Sequence, residues 1–313
     1  MNKNLKKCAF LGLFTSASIF GLNTLIDRNA ESKNVLSQQG RFFRFRDTDV
    51  YYSVRGSGEP LLLIHDLLPQ SCGYEWEKVR RRLEKTNRVF VLDLPGCGRS
   101  EKPWLTYTTF YFTECIHEFI KQIIRDKTIV AASGASAFPA ILTDKMYPED
   151  MKKLILVNPE RLAVSEQTPD KFHKMIKYLL HLPITGRFIY NIEMSEANLN
   201  ALFREVYYHR TSAVDGRVVA AFYEAAHKRN SNGRHLLASI RGKYLNANVR
   251  NALSSLSNLC LIISRDRKGS YKILTEYKKA AKNIETAQIS GSRNLPMLET
   301  PEKLAEVMKL FLS

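Results

Sequence analysis

Apolar and polar residues alternate over residues 41–46 and 50–54, the period of a strand with one buried face. Asp47-Thr48-Asp49 between them is turn chemistry, so the pair predicts a hairpin. Residues 61–64, 89–92, 128–133 and 154–157 are instead short continuous apolar runs, as in strands buried on both faces. Residues 258–263 and 284–289 extend the series. Between these runs, residues 74–85, 111–124, 137–147, 271–281 and 301–312 carry helical spacing; Trp76, Val79 and Leu83 share one face of the first. Strands alternating with helices predict an α/β chain with a mostly parallel, doubly wound sheet. Ligands of such sheets bind at the carboxyl ends of the strands. His65, Asp93 and Ser136 all fall at such ends.

Residues 161–250 break the alternation and read as an inserted helical cap. The expected division is residues 1–38 as a hydrophobic segment and linker, 39–160 as the first part of the core, 161–250 as the cap and 251–313 as the second part. The cap holds five of the seven histidines, none at the i, i+4 spacing of a zinc helix, and no metal site is expected. Its aromatics Phe172, Tyr178, Phe188, Tyr190, Tyr207, Tyr208 and Phe222 would line an apolar pocket or form the cap's own core.

Lys3, Lys6 and Lys7 precede residues 8–26, which carry no charge. A helix of that length spans about 28 Å, close to the hydrocarbon thickness of a bilayer. An uncleaved membrane anchor is expected, with a cleaved signal peptide as the alternative. The basic flank places the N-terminus inside and the domain on the extracytoplasmic side; Arg28, Lys33 and the cysteine usage argue the other way. Residues 27–39 are polar and read as a linker.

Composition adds one thing. Lys and Arg number 47 against 31 Asp and Glu, a net charge of +16. The excess suits anionic surfaces, and an anionic lipid surface is the specific partner it suggests. No nucleic-acid-binding module is present. Five scattered cysteines give neither metal spacing nor a disulfide framework, and favour a reducing compartment. No cofactor is expected.

Candidate chemistry centres on residues 126–140, DKTIVAASGASAFPA: a strand, a small-residue turn and a helix, with two serines competing for an exposed corner. Ser133 has small neighbours on both sides. Ser136 has Phe138 two residues on, but it leaves Pro139 in the first helical turn, where its missing N–H costs little. Ser136 is therefore preferred and Ser133 retained.

Several motifs resemble, in order, those of the α/β-hydrolase superfamily, of the esterase, lipase and haloperoxidase-like kind. They are Leu61-Leu62-Leu63-Ile64-His65-Asp66, the loop from Asp93 to Pro103 (DLPGCGRSEKP), the serine corner, and Leu295-Pro296-Met297-Leu298-Glu299-Thr300-Pro301. The resemblance implies a serine nucleophile, Asp266 as the acid, and an oxyanion hole from the N–H groups of Leu67 and Ala137. His65 and Asp66 would border the pocket. Three departures stand out. Asp66 replaces a glycine, Phe138 replaces a small residue, and Asn294 stands where the catalytic His belongs. An asparagine takes up no proton near neutral pH, so the relay that activates a serine is broken. Two functions remain open: a serine hydrolase of an ester- or lipid-like substrate, or a pseudo-hydrolase that binds a small apolar ligand or a protein.

Overall fold

The computed structural model describes residues 3–36, 39–265 and 268–312. Among the described residues eight strands form one sheet: β1 (Arg41–Phe45), β2 (Thr48–Arg55), β3 (Glu59–Ile64), β4 (Asn87–Leu92), β5 (Thr128–Ser133), β6 (Met151–Val157), β7 (Leu259–Arg265) and β8 (Ile284–Ile289). Their order is β1-β2-β4-β3-β5-β6-β7-β8. The β1–β2 hairpin pairs antiparallel, and β2 meets β4 antiparallel; from β4 through β8 every pairing is parallel. The hairpin turns at Arg46, which takes φ +52°.

Successive residues of a strand point to opposite faces, and both faces are covered. Leu62, Phe90, Val130 and Leu156 point to one side, against α3 (Thr109–Phe119), α4 (Ala137–Met146) and α12 (Lys268–Ala280). Leu61, Val89, Ile129 and Ile155 point to the other, against α2 (Glu77–Leu83) and α14 (Pro301–Leu312). This double burial is why the central strands read as unbroken apolar runs.

Between β6 and β7 the described chain is helical: α5 (Leu162–Ser165), α6 (Lys171–His181), α7 (Thr185–Glu193), α8 (Glu196–Leu202), α9 (Gly216–Ser231), α10 (Arg234–Arg241) and α11 (Arg250–Ser254). Tyr190, Phe203, Tyr208 and Phe222 fill the interior of this layer, so most of its aromatics are its own core. Phe172 and Tyr178 are exposed. A short helix, α13 (Pro296–Glu299), precedes α14.

The N-terminal segment departs from expectation. One helix, α1, runs from Lys3 to Ser32, through much of the stretch read as a linker. Two of its polar residues, Asn23 and Asp27, are buried and partnered rather than solvated. Asn23 donates to the Ile184 carbonyl at 3.3 Å and accepts from Asn191 at 2.9 Å. Asp27 is buried, ion-paired with Arg187 and bonded to the Ser231 hydroxyl. Beyond α1, the Glu224 carboxylate of α9 accepts the N–H groups of Val35 and Leu36 at 2.7 and 3.0 Å. Residues 27–36 therefore pack with the cap. Among the described residues no helix is long and apolar enough to cross a membrane, so the expected anchor finds no support in the fold.

Candidate functional site

β5 stays extended through Ser133 (φ −105°, ψ 150°). Gly134 then turns to φ +55°, and a single 3₁₀ turn, Gly134–Ser136, feeds α4. Left-handed backbone is glycine's territory. The space over the corner is already filled: a Cβ added to Gly134 would lie 2.2 Å from Asp66 Oδ1. That oxygen accepts two backbone N–H groups, from Leu67 at 2.7 Å and from Ala135 at 2.8 Å. Two N–H groups converging on one oxygen have the geometry of an oxyanion hole. Here the Asp66 side chain occupies it.

The residue at the corner is Gly134, and neither candidate serine. Ser136 lies one turn further on, fully buried, and its hydroxyl donates to the His65 carbonyl at 2.6 Å. Ser133 borders the cavity, and its hydroxyl donates to Glu75 Oε2 at 3.2 Å. The N–H that joins Leu67 belongs to Ala135; that of Ala137 turns back to the Gly134 carbonyl as the helix begins.

Glu75 was not singled out by sequence, yet it organises this corner. It is fully buried on the 3₁₀ turn before α2, and Oε2 also accepts the Asp66 N–H at 3.1 Å. Burial first, and then the neighbouring Asp66 charge, push its pKa up to about 8. Burial, followed by the charge of Glu160, likewise raises Asp66 to about 7.

His65 is a structural residue. Its Nδ1 lies 2.7 Å from the Asp66 carbonyl and its Nε2 accepts the Leu94 N–H at 2.9 Å, so the proton sits on Nδ1. Burial lowers its pKa, keeping the ring neutral. Asp93 is also internal. It accepts the N–H groups of Gly73 at 2.7 Å and Arg99 at 2.9 Å, and pairs with the Arg99 guanidinium at 2.7 Å. Burial works to raise its pKa, but Arg99 outweighs it and holds the value at about 2.

At the position expected for a catalytic His, the Asn294 side-chain oxygen accepts from the Arg265 guanidinium. Asn158, at the end of β6, ties this region together. Its Oδ1 accepts the Arg265 N–H at 2.9 Å, and its Nδ2 donates to the Arg293 and Asn294 carbonyls, both at 3.1 Å. Asp266 lies outside the described residues. Asp66, Ser133, Glu160, Arg265 and Asn294 border one cavity of about 250 Å³ at the carboxyl edge of the sheet, with Tyr207 entering from the cap. Charged and amide side chains share its wall with apolar surface from Pro159, Ile273 and Leu295 in about equal measure. Among the described residues no cluster of three or more His, Cys, Asp or Glu is placed to hold a metal.

A match to the alpha/beta hydrolase family spans residues 61–307. The chain belongs to the alpha/beta hydrolase family. Epoxide hydrolase 4 of Mus musculus is 26% identical to this alpha/beta hydrolase over 163 residues, 48% of this chain and 45% of the relative. The chain spans less than half the length of the curated relatives it matches. Among solved structures, Cfl2 from Burkholderia cenocepacia superposes with a TM-score of 0.73 at 19% identity, over 88% of this chain and 95% of that one. A membrane phospholipase A, described as a bacterial virulence factor, superposes with a TM-score of 0.69 at 18% identity, over 99% and 98%. At such identities the likeness is one of fold.

Proposed function

We propose that this alpha/beta hydrolase is a binding protein whose catalytic corner has been given up, and that its cavity takes a small polar molecule without serine-based turnover. One observation carries the reading: Gly134 stands at the strand-to-helix corner, and the Asp66 carboxylate fills the space a nucleophilic side chain would need. The amide of Asn294, bonded to Arg265, supports it, since no imidazole stands there to accept a proton. The charged groups Asp66, Glu160 and Arg265 on the cavity wall favour a ligand that carries polar groups over the wholly apolar one expected from sequence. Asp66, poised near neutrality, suits a hydroxyl or amine group that donates to it.

A fluorophosphonate probe tests this directly. The full-length wild-type chain is expected to remain unlabelled while a competent serine hydrolase run alongside reacts. Labelling lost in Ser133→Ala or in Ser136→Ala would refute the proposal.

A second reading has its own observation. The Ser133 hydroxyl borders the cavity and donates to Glu75, a carboxylate whose raised pKa suits a general base. A Ser133–Glu75 pair would make the chain a hydrolase of an ester-like substrate. It requires labelling that disappears in both Ser133→Ala and Glu75→Gln.

A further inference from the structure

Helices on a globular surface usually turn their apolar stripe inward. α6 presents much of its apolar surface outward. Phe172, Met175 and Leu179 follow at helical spacing and are 60%, 51% and 41% exposed; Tyr178 beside them is 67% exposed. Leu180 is the one buried residue of this helix. Lys171 and Lys174 are exposed on the same helix. On α7, which packs against α6, Ile189 and Ile192 are exposed as well. Single exposed apolar residues need no explanation; a stripe along one helix does.

We infer that this face of the cap rests on an anionic lipid surface, with α6 lying in the headgroup layer rather than spanning the bilayer. An apolar stripe accompanied by lysines and aromatics is the composition of a helix that lies in the interface plane. The surplus of 47 basic over 31 acidic residues supplies the charge complementarity. A second copy of the chain would also cover the stripe, but it would bring lysine against lysine; anionic headgroups do not. α1 adjoins α7 directly. It packs on α7 through Asn23 and Asp27 and carries exposed Phe20 and Leu25.

The chain contains its own reporter. Of its two tryptophans, Trp76 is fully buried, whereas Trp104 is 71% exposed and stacks on His181 at the end of α6. Full-length protein is mixed with phosphatidylcholine vesicles with and without phosphatidylglycerol. Co-sedimentation and Trp104 emission are then followed as salt is raised. Binding to the anionic vesicles, a blue shift, quenching of Trp104 by brominated lipid, and partial release by salt are expected. Phe172→Glu/Met175→Glu/Leu179→Glu, on exposed positions and checked for unchanged circular dichroism, is expected to bind about tenfold more weakly or worse. The inference fails if wild-type protein ignores both vesicles. It fails if Trp104 stays unshifted and unquenched while the triple variant binds as well as wild type, which would assign binding to residues 8–26 alone. It also fails if lipid-free protein forms a dimer that the triple variant abolishes. The quenching measurement needs no variant, so it decides the matter even if the triple variant misfolds.

Discussion

At the scale of single residues, Gly134 and Asp66 form one unit. Gly134→Ser places a side chain on left-handed backbone and 2.2 Å from Asp66 Oδ1. It is expected to destabilise the chain by at least ~2 kcal/mol. Asp66→Gly/Gly134→Ser vacates the space, and the double variant should be more stable than the two single losses predict. Urea unfolding of the four proteins measures that coupling. The acid pair gives a second expectation. Unfolded Asp and Glu titrate near pH ~4, whereas Asp66 and Glu75 stand at about 7 and about 8 in the fold. The native state holds these protons more tightly, so their contribution is full below pH ~4 and lost as pH rises to about 8. Asp66→Asn and Glu75→Gln should flatten that decline in a series of urea midpoints against pH. Asp93 has the opposite sign: its pKa of about 2 gives stability present above pH ~4 and lost as pH falls through about 2. The corner shows what sequence can and cannot convey at this scale. Pro139 correctly placed the start of α4 just after Ser136. A search for a hydroxyl at the turn could not settle on a glycine, although Ala132-Ser133-Gly134-Ala135-Ser136 has small residues two before and two after Gly134. Glu75 was missed because a buried acid in a helix pattern looks like any solvated one.

At the scale of elements, the sheet was legible because burial on both faces leaves unbroken apolar runs, and the hairpin because its strands alternate. α1 was not. Residues 27–32 are polar apart from Ala30, and polarity is the mark of both a solvated linker and a partnered interface; Asp27's partners Arg187 and Ser231 lie some 160 and 204 positions away. Asp27 and Arg187 retain only 4% and 12% side-chain exposure. Removing one member of such a pair strands the other, so Asp27→Ala should cost about 3 kcal/mol. The loss should appear in hydrogen exchange as deprotection of α1, α7 and the end of α9, with the central strands unaffected.

At the scale of the whole molecule, one face of the sheet shares a continuous apolar cluster with the cap, and the other face packs a second cluster. Among the described residues, the N-terminal helix packs chiefly on α7 and α9 of the cap. A chain lacking residues 1–32 is therefore expected to lose the cap's resistance to limited proteolysis well before the core's. A single cooperative loss of both would show that α1 supports the sheet as well. The family was legible at this scale because four motifs kept their order over most of the chain, whereas the state of the site depended on atoms those motifs do not contain.

Glu224 bears on how anything enters. A lid rooted only at its two chain crossings can swing about the line between them. Here the strap at Val35 and Leu36 is bolted to the lid at a third point, by two N–H groups on one carboxylate with Lys228 on its other oxygen at 2.8 Å. Three fixed points define a plane, so the lid cannot rotate without first releasing the strap. Passage into the chamber then falls to side chains of its lining, such as exposed Arg161, and exchange should be paced by their rotamers rather than by a hinge.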